Sequence, residues 1–292
     1  MIREIHAKTI VSRVSGIDTY FGLDYGMNLY RGCQHHCIYC DSRSLCYGIE
    51  DFDGEVLIKA NAIDLLKDEL PRKRRKGIAG TGSMHDAYMP IEEKVRLTKQ
   101  ALEVIADYGF GVHVVTKSDL VLHDLPILKR IARYHTAAVS FTVTTIDDAL
   151  ARELEPGAPP TSARFRALKA LSDAGIETRI ALMPSLPFIE DTEENVVAIV
   201  EEAHRCGVKT IVPWFGMSLR DRQRAYFYER LDELFPGLKT RYIETYGDAY
   251  RCPSPHADAL HQRFDDLCER YGIATSVKPS LAPNVSQLGL FS

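Results

Sequence analysis

Cys33-Gln34-His35-His36-Cys37-Ile38-Tyr39-Cys40 carries three thiols at spacings of four and three. The stretch follows a short apolar run, Met27-Asn28-Leu29-Tyr30, and reads as a loop leaving a strand. Thiolates at this density bind soft or borderline metal. Three is the informative count. A closed structural zinc site needs four ligands, and neither His35 nor His36 completes a familiar zinc spacing. A [4Fe–4S] cluster held by three cysteines keeps one iron free for an exogenous ligand.

Around this loop the chain has 292 residues, 45% of them apolar, which suits one large α/β domain with a sizeable core. Net charge is −4, so no global basic field draws nucleic acid, and any such binding must come from a local patch. No apolar run approaches the roughly 20 residues of a membrane span. The start, Met1-Ile2-Arg3-Glu4-Ile5-His6, lacks the apolar core of a signal peptide, and the expected compartment is the cytoplasm. Seven cysteines, an odd number with a tight cluster, fit a reducing compartment better than a disulfide framework.

Residues 1–24 read as a short extension. Thereafter β-like runs alternate with amphipathic stretches, which predicts a parallel sheet. Strands are expected at 26–31, 78–84, 111–117, 137–145, 176–183 and 208–215. Helices are expected near 60–70 with Asn61 as cap, over 91–108, near 124–134, from Thr161 or Ser162 to Ala174, and from Thr192 through His204. Two more helices are expected near 219–234 and 256–271, in a C-terminal segment spanning 217–280. Residues 281–292 read as a tail.

C-x3-C-x2-C with an aromatic just before the last cysteine resembles the signature of the radical S-adenosylmethionine superfamily. The resemblance implies a partial, open (β/α)6 barrel over residues 25–216, with Cys33, Cys37 and Cys40 holding a [4Fe–4S] cluster. It further implies S-adenosylmethionine on the open iron, its one-electron cleavage, and a 5′-deoxyadenosyl radical that abstracts hydrogen. Tyr39 matches the aromatic that packs near the adenine. In such barrels chemistry sits at the C-terminal strand ends. Gly80-Thr81-Gly82-Ser83 there matches in position the family's glycine-rich stretch, whose backbone approaches the methionyl group. Lys117 ends the third strand and could pair with a carboxylate. Ser140 and Thr142 alternate with apolar neighbours, so their hydroxyls can face the barrel interior toward ribose or carboxylate.

Within the superfamily, Asn28 through Cys40, then Thr116-Lys117-Ser118 and Val139-Ser140-Phe141, resemble the spore photoproduct lyase-like branch, also described as DNA repair photolyases. That implies DNA as substrate and a lyase-like reaction. The chain departs from the branch after the second strand. Where the lyase has a thiol hydrogen donor followed by Ser-Asp, this chain has Ser83-Met84-His85-Asp86. Asp41 replaces a tyrosine after the cluster. Cys252, or Cys46, is the candidate replacement thiol.

Arg72-Lys73-Arg74-Arg75-Lys76 follows a helix on the face away from the site and matches the helix dipole. Arg220, Arg222 and Arg224 follow the sixth strand on the site side and could hold substrate phosphates. In the tail, Gln287-Leu288-Gly289-Leu290-Phe291 resembles the bacterial sliding-clamp-binding pentapeptide, with Leu290 and Phe291 as pocket anchors. A one-electron donor such as flavodoxin or ferredoxin is an expected partner. The rival readings are radical modification of RNA, a peptide or a small molecule, and a non-catalytic metal-binding adaptor that docks on the clamp.

Overall fold

The computed structural model describes residues 1–16, 18, 20–82 and 84–277. Ser83 and the motif from Gln287 to Phe291 lie outside them. In chain order the strands are β1 (Ile2–Ile5), β2 (Val11–Arg13), β3 (Tyr25–Met27), β4 (Tyr30–Arg31), β5 (Val56–Lys59), β6 (Ile78–Thr81), β7 (Gly111–Thr116), β8 (Ala137–Thr142), β9 (Glu177–Leu182), β10 (Thr210–Pro213), β11 (Gly216–Ser218) and β12 (Arg251–Pro253). The helices are α1 (Ala62–Glu69), α2 (Glu92–Val95), α3 (Leu97–Asp107), α4 (Leu125–Ala132), α5 (Asp148–Leu154), α6 (Thr161–Asp173), α7 (Glu193–Arg205), α8 (Asp221–Leu234), α9 (Leu238–Tyr246) and α10 (Ala257–Tyr271).

The main sheet runs β10-β9-β8-β7-β6-β3-β2. Every neighbouring pair in it is parallel except β2 with β3, at the edge. Its parallel part contains the six expected strands, with helices between them, and is the α/β partial (β/α)6 barrel. Strands β6 and β8 are buried along their whole length, as strands covered on both faces must be. Val114, Val139, Phe141 and Ile180 of the sheet share one core with Leu102 and Leu168 of the helices. Each such side chain contributes about 1.5–3 kcal/mol by leaving water. A second apolar cluster joins Ile38 and Tyr39 of the cysteine loop to Met217, Phe227, Tyr242 and Cys252. The last third of the chain therefore packs on the loop that carries the thiols.

Several local expectations give way to tertiary contacts. The strand expected at 26–31 is broken, because β3 pairs with β6 while β4 changes sheet and pairs with β5. The helix over 91–108 is two helices, divided at Arg96 with φ 51°. There the buried Glu92 carboxylate accepts the Thr98 amide at 3.1 Å, doing the work of a cap. Asn61 caps nothing; its side-chain amide is bonded to the Ala7 backbone in both directions at 2.9 Å. Pro160, not Thr161 or Ser162, precedes α6, because Thr161 donates to the Thr145 carbonyl and Ser162 to Asp148. Thr192 does cap α7, accepting from the Asn195 amide. Helix α9 was not expected from the pattern.

Candidate active site

The cysteine loop is tied down by its backbone at two interior points. Ile38 donates to the Leu154 carbonyl at 2.9 Å, and Gly157 donates to the His35 carbonyl at 3.0 Å. Gly157 must be glycine here, since a Cβ would lie 2.0 Å from the Gln34 carbonyl oxygen. His35 Nδ1 lies 3.3 Å from Asp86, and both are buried. Asp86 also accepts from the Thr116 hydroxyl and the Lys117 amide, each at 2.6 Å, and from the Tyr88 amide at 2.8 Å. One carboxylate thus links the loop after β6, the end of β7 and the thiol loop. Burial alone would raise its pKa, but His35, Lys117 and Thr116 outweigh it and hold Asp86 below the usual carboxylate range.

Cys33, Cys37 and Cys40 line one cavity of about 330 Å³ together with Tyr39, Lys117 and Thr142. Burial pushes the Cys33 thiol up to about 12 and raises Cys37 and Cys40 as well. Such thiols lose their protons to a bound metal centre. Among the described residues no three His, Cys, Asp or Glu side chains converge on one ion position. The thiols instead share a cavity wall, as ligands to separate irons of a cluster would. An adjoining cavity of about 250 Å³ shares Gly82 and Thr142 with the first and reaches Gly80 and Thr81. Gly82 has φ +94°, and a Cβ there would meet the Val115 carbonyl oxygen at 2.3 Å. Beside this exposed backbone the buried Thr81 hydroxyl has no partner. Three thiols, a bare backbone edge and an orphaned hydroxyl fit a cluster with a polar organic ligand.

Beneath Tyr39 lies a buried charged network. Glu155 accepts from the Tyr39 hydroxyl, pairs closely with Arg164, and lies 3.9 Å from the Lys117 ammonium. Arg164 also donates to the Thr142 carbonyl at 3.0 Å and the Pro159 carbonyl at 2.9 Å. Burial works against the charge on Lys117, but Cys37, Glu155 and Asp86 overcome it and raise its pKa. Glu190, nearby, is pushed up to about 8, chiefly by burial and secondarily by repulsion from Glu155. The folded protein keeps a proton that the unfolded chain releases above about pH 4.3. Wild type should therefore lose about 1 kcal/mol of stability per pH unit between there and about pH 8, relative to Glu190→Gln. Urea unfolding of the two proteins at about pH 5.5 and about pH 8 checks this; parallel curves would refute it.

The structure brings together the three thiols, Tyr39, Gly80, Thr81, Gly82, Lys117 and Thr142. It separates others that the sequence grouped with them. Ser140 faces His113, its hydroxyl 2.7 Å from Nε2, and lines neither cavity. Cys252 is fully buried opposite Met217 in the β11/β12 pair, with its thiol 3.7 Å from the Ala249 carbonyl. Met217, not Cys252, reaches the cavity wall. Cys46 is exposed in a 3-10 turn and lines neither cavity. The three arginines are occupied within the chain. Arg220 is bonded to Asp41 at 3.0 Å, Arg222 to the Glu50 carbonyl at 2.8 Å and Arg224 to the Ala249 carbonyl at 2.8 Å. They fasten the C-terminal segment to itself and to the residues after Cys40.

Sequence reasoning missed Glu155, Arg164, His85 and Trp214. Only Arg164 had a readable signal, as an arginine on the apolar face of α6 with Leu168 and Leu171. His85 and Trp214 line the thiol cavity. Burial pushes the His85 imidazole down to about 4, so it is neutral near pH 7.

The profile of the radical SAM superfamily matches residues 27–203. An uncharacterized protein of Mycobacterium tuberculosis is 30% identical over 263 residues, 88% of this chain and 77% of its own length. An uncharacterized protein of Methanocaldococcus jannaschii is 34% identical over 174 residues, 59% of this chain and 64% of that protein. A mutant of spore photoproduct lyase with bound AdoMet and dinucleoside spore photoproduct aligns with a TM-score of 0.70 at 16% identity, over 94% of this chain and 81% of that one. The radical S-adenosylmethionine methyltransferase TsrM from Kitasatospora setae, with cobalamin and a [4Fe-4S] cluster bound, aligns with a TM-score of 0.56 at 13% identity, over 91% of this chain and 55% of that one.

Fold and thiol-lined mouth define a metal-cluster enzyme, which sets aside the adaptor reading. The chain belongs to the radical SAM superfamily, whose members use a [4Fe–4S] cluster and S-adenosylmethionine. Among the described residues no helix is long and apolar enough to cross a membrane.

Proposed function

We propose that this enzyme abstracts hydrogen from DNA, in the manner of the spore photoproduct lyase-like branch. In this reading Cys33, Cys37 and Cys40 hold the cluster. Gly80, Thr81, Gly82, Lys117 and Thr142 bind S-adenosylmethionine, with Tyr39 beside its adenine. The observation that carries it is the convergence of the thiols, Tyr39, Lys117 and Thr142 on one cavity at the strand ends. When bound, cluster and cofactor supply a one-electron cleavage that yields a carbon radical. The residues of this chain hold, orient and enclose. Lys117, only loosely paired with Glu155, has donor capacity left for a cofactor carboxylate. Gly82 brings a bare backbone edge to the same wall.

The DNA assignment draws support from the likeness in fold to a lyase bound to a dinucleoside lesion. The stretch after β6, Ser83-Met84-His85-Asp86, offers no thiol where the branch has its hydrogen donor, so the chemistry on the lesion would differ from thiol-assisted reversal. Seven cysteines without a disulfide accord with a reducing, cytoplasmic setting. The Gln287-Leu288-Gly289-Leu290-Phe291 motif would dock the enzyme on a sliding clamp, and a flavodoxin or ferredoxin would deliver the electron. The test is anaerobic reconstitution followed by 5′-deoxyadenosine measurement with damaged duplex, single-stranded DNA, RNA and peptide. Stimulation by DNA alone is the expected result. Stimulation by RNA or peptide alone would replace the substrate.

A further inference from the structure

A further cavity, of about 280 Å³, is lined by Arg31, Lys59 and His6 and, among the described residues, by no carboxylate. Much of its wall comes from the small sheet β1-β5-β4, separate from the main sheet. In that sheet Arg31 lies opposite Leu57, and Ile5 lies opposite Lys59. Tyr30 and Ile58, another opposed pair, are buried in the core. Side chains alternate along a strand, so Arg31, Lys59 and Ile5 share the face turned away from that core. The two cations are diagonal neighbours across β4 and β5, about 7–8 Å apart where their side chains begin, a gap that long side chains can close. Both are half-buried, with the exposed His6 beside them.

Burial lowers the pKa of Lys59, and the neighbouring Arg31 charge lowers it further, with no carboxylate acting in the opposite sense. Lys59 donates to the Asn28 carbonyl at 2.6 Å, and Arg31 donates to the Tyr47 carbonyl at 3.1 Å. An ammonium has three donors and a guanidinium five, so most donors of the pair have no protein partner among the described residues. Two like charges on a half-dry wall repel each other, and a bound anion relieves that repulsion. A compact oxyanion with several acceptor atoms meets both conditions. Asn28 follows β3 and Met84 follows β6, so the cavity sits at the C-terminal strand ends. Met84 lines the thiol cavity as well, so the two are neighbours. A chain of net charge −4 must draw a polyanion through a local patch of this kind.

We propose that Arg31 and Lys59 clamp a backbone phosphate of the DNA strand beside the thiol cavity. This clamp rests on the DNA reading above and adds which group of the strand is held and by which residues. A phosphate contact fixes the position of the strand and carries no base preference. The same oxyanion chemistry exists in the carboxylate of S-adenosylmethionine and in free phosphate, so the experiment separates the sources.

The probe is a fluorescein-labelled single-stranded DNA oligonucleotide, titrated at several KCl concentrations into reconstituted holoenzyme saturated with S-adenosylhomocysteine. Lys59→Gln should weaken binding about 10-fold, the lower end of what a hydrogen bond to a charged group contributes. It should also lower the slope of log K against log salt by about 0.7, the share of one phosphate contact on a single strand. Lys59→Arg should keep most of both. Circular dichroism and S-adenosylhomocysteine affinity of both variants should match wild type, which excludes misfolding. A second set of strands carries a neutral methylphosphonate at one linkage each. Wild type should lose about 10-fold in affinity at one particular linkage, and Lys59→Gln should show little further loss there. If every neutral linkage costs Lys59→Gln as much as it costs wild type and the salt slope is unchanged, the phosphates are held elsewhere. The clamp is then overturned while the DNA reading stands. If Lys59→Gln weakens S-adenosylhomocysteine and spares the strand, the anion is the cofactor's carboxylate and the clamp is overturned. If inorganic phosphate binding depends on Lys59 while strand binding does not, the cavity serves a small anion and the clamp is likewise overturned. If wild type binds no DNA oligonucleotide, the DNA reading fails and takes this clamp with it.

Discussion

Cys37→Ala, purified and reconstituted without oxygen, is expected to carry little iron or sulfide and to lose the visible absorbance of a cluster. Formation of 5′-deoxyadenosine should fall to the uncatalysed background, a loss of at least about 10⁶-fold if this enzyme accelerates its reaction as enzymes ordinarily do. The reason is the count of ligands. With one open iron already reserved for the cofactor, a second open iron leaves only two protein anchors. Burial also favours the protonated thiol at Cys33, Cys37 and Cys40, so a thiolate at any of them would depend on a bound metal to hold it. Cys46→Ala is the control, since that thiol is exposed and outside the cavity. It should retain full iron content. Iron and cofactor cleavage at wild-type levels in Cys37→Ala would remove the triad assignment.

Glu155→Ala should be the most destabilising single change near the site. It leaves Arg164, fully buried, without its counter-charge and Tyr39 without its acceptor. Removing one partner of a buried pair costs about 3–5 kcal/mol, because the other charge stays in a dry place. For a protein of this size that corresponds to a fall in Tm of roughly 10 °C. Glu155→Gln should cost less, since its amide oxygen still accepts from Tyr39. Burial opposes ionisation of Glu155, but Arg164, Lys117 and Tyr39 together hold its pKa below the ordinary value. Its stabilisation is therefore present above the unfolded carboxylate pKa and fades as the pH falls. A wild-type Tm advantage over Glu155→Ala that did not shrink on acidification would contradict this sign. S-adenosylmethionine affinity should also drop, by about 10- to 100-fold, as for other groups that position a first ligand shell. The loss would arise because Tyr39 and Lys117 both lean on this carboxylate. Isothermal titration of the reconstituted variant reads it.

Glu155 shows why the candidate site was only partly legible. In the sequence Glu155 opens a proline-rich loop and looks like a solvated turn residue. Its partner Tyr39 is 116 residues away, and nothing local marks the pair. The arginines after β10 show the opposite error. Their clustering at a strand end is a fair sign of phosphate binding, yet Arg220 bonds Asp41 across 179 residues and is occupied. Asn61, Thr161 and Ser162 erred for a related reason. A capping side chain serves its own helix only when no better acceptor or donor comes within reach, and tertiary packing supplied one each time.

What the sequence determined alone is what short-range physics governs. Thiol spacing within eight residues limits the metal chemistry, and the alternation of β-branched runs with amphipathic stretches dictates a parallel sheet with helices on it. The tertiary structure decided which side chains share a cavity, which charges are already paired and which polar atoms remain bare. Those outcomes depend on groups a hundred or more residues apart meeting in a place that excludes water, where an unpaired charge or an unbonded ring nitrogen carries a cost that it does not have in the unfolded chain.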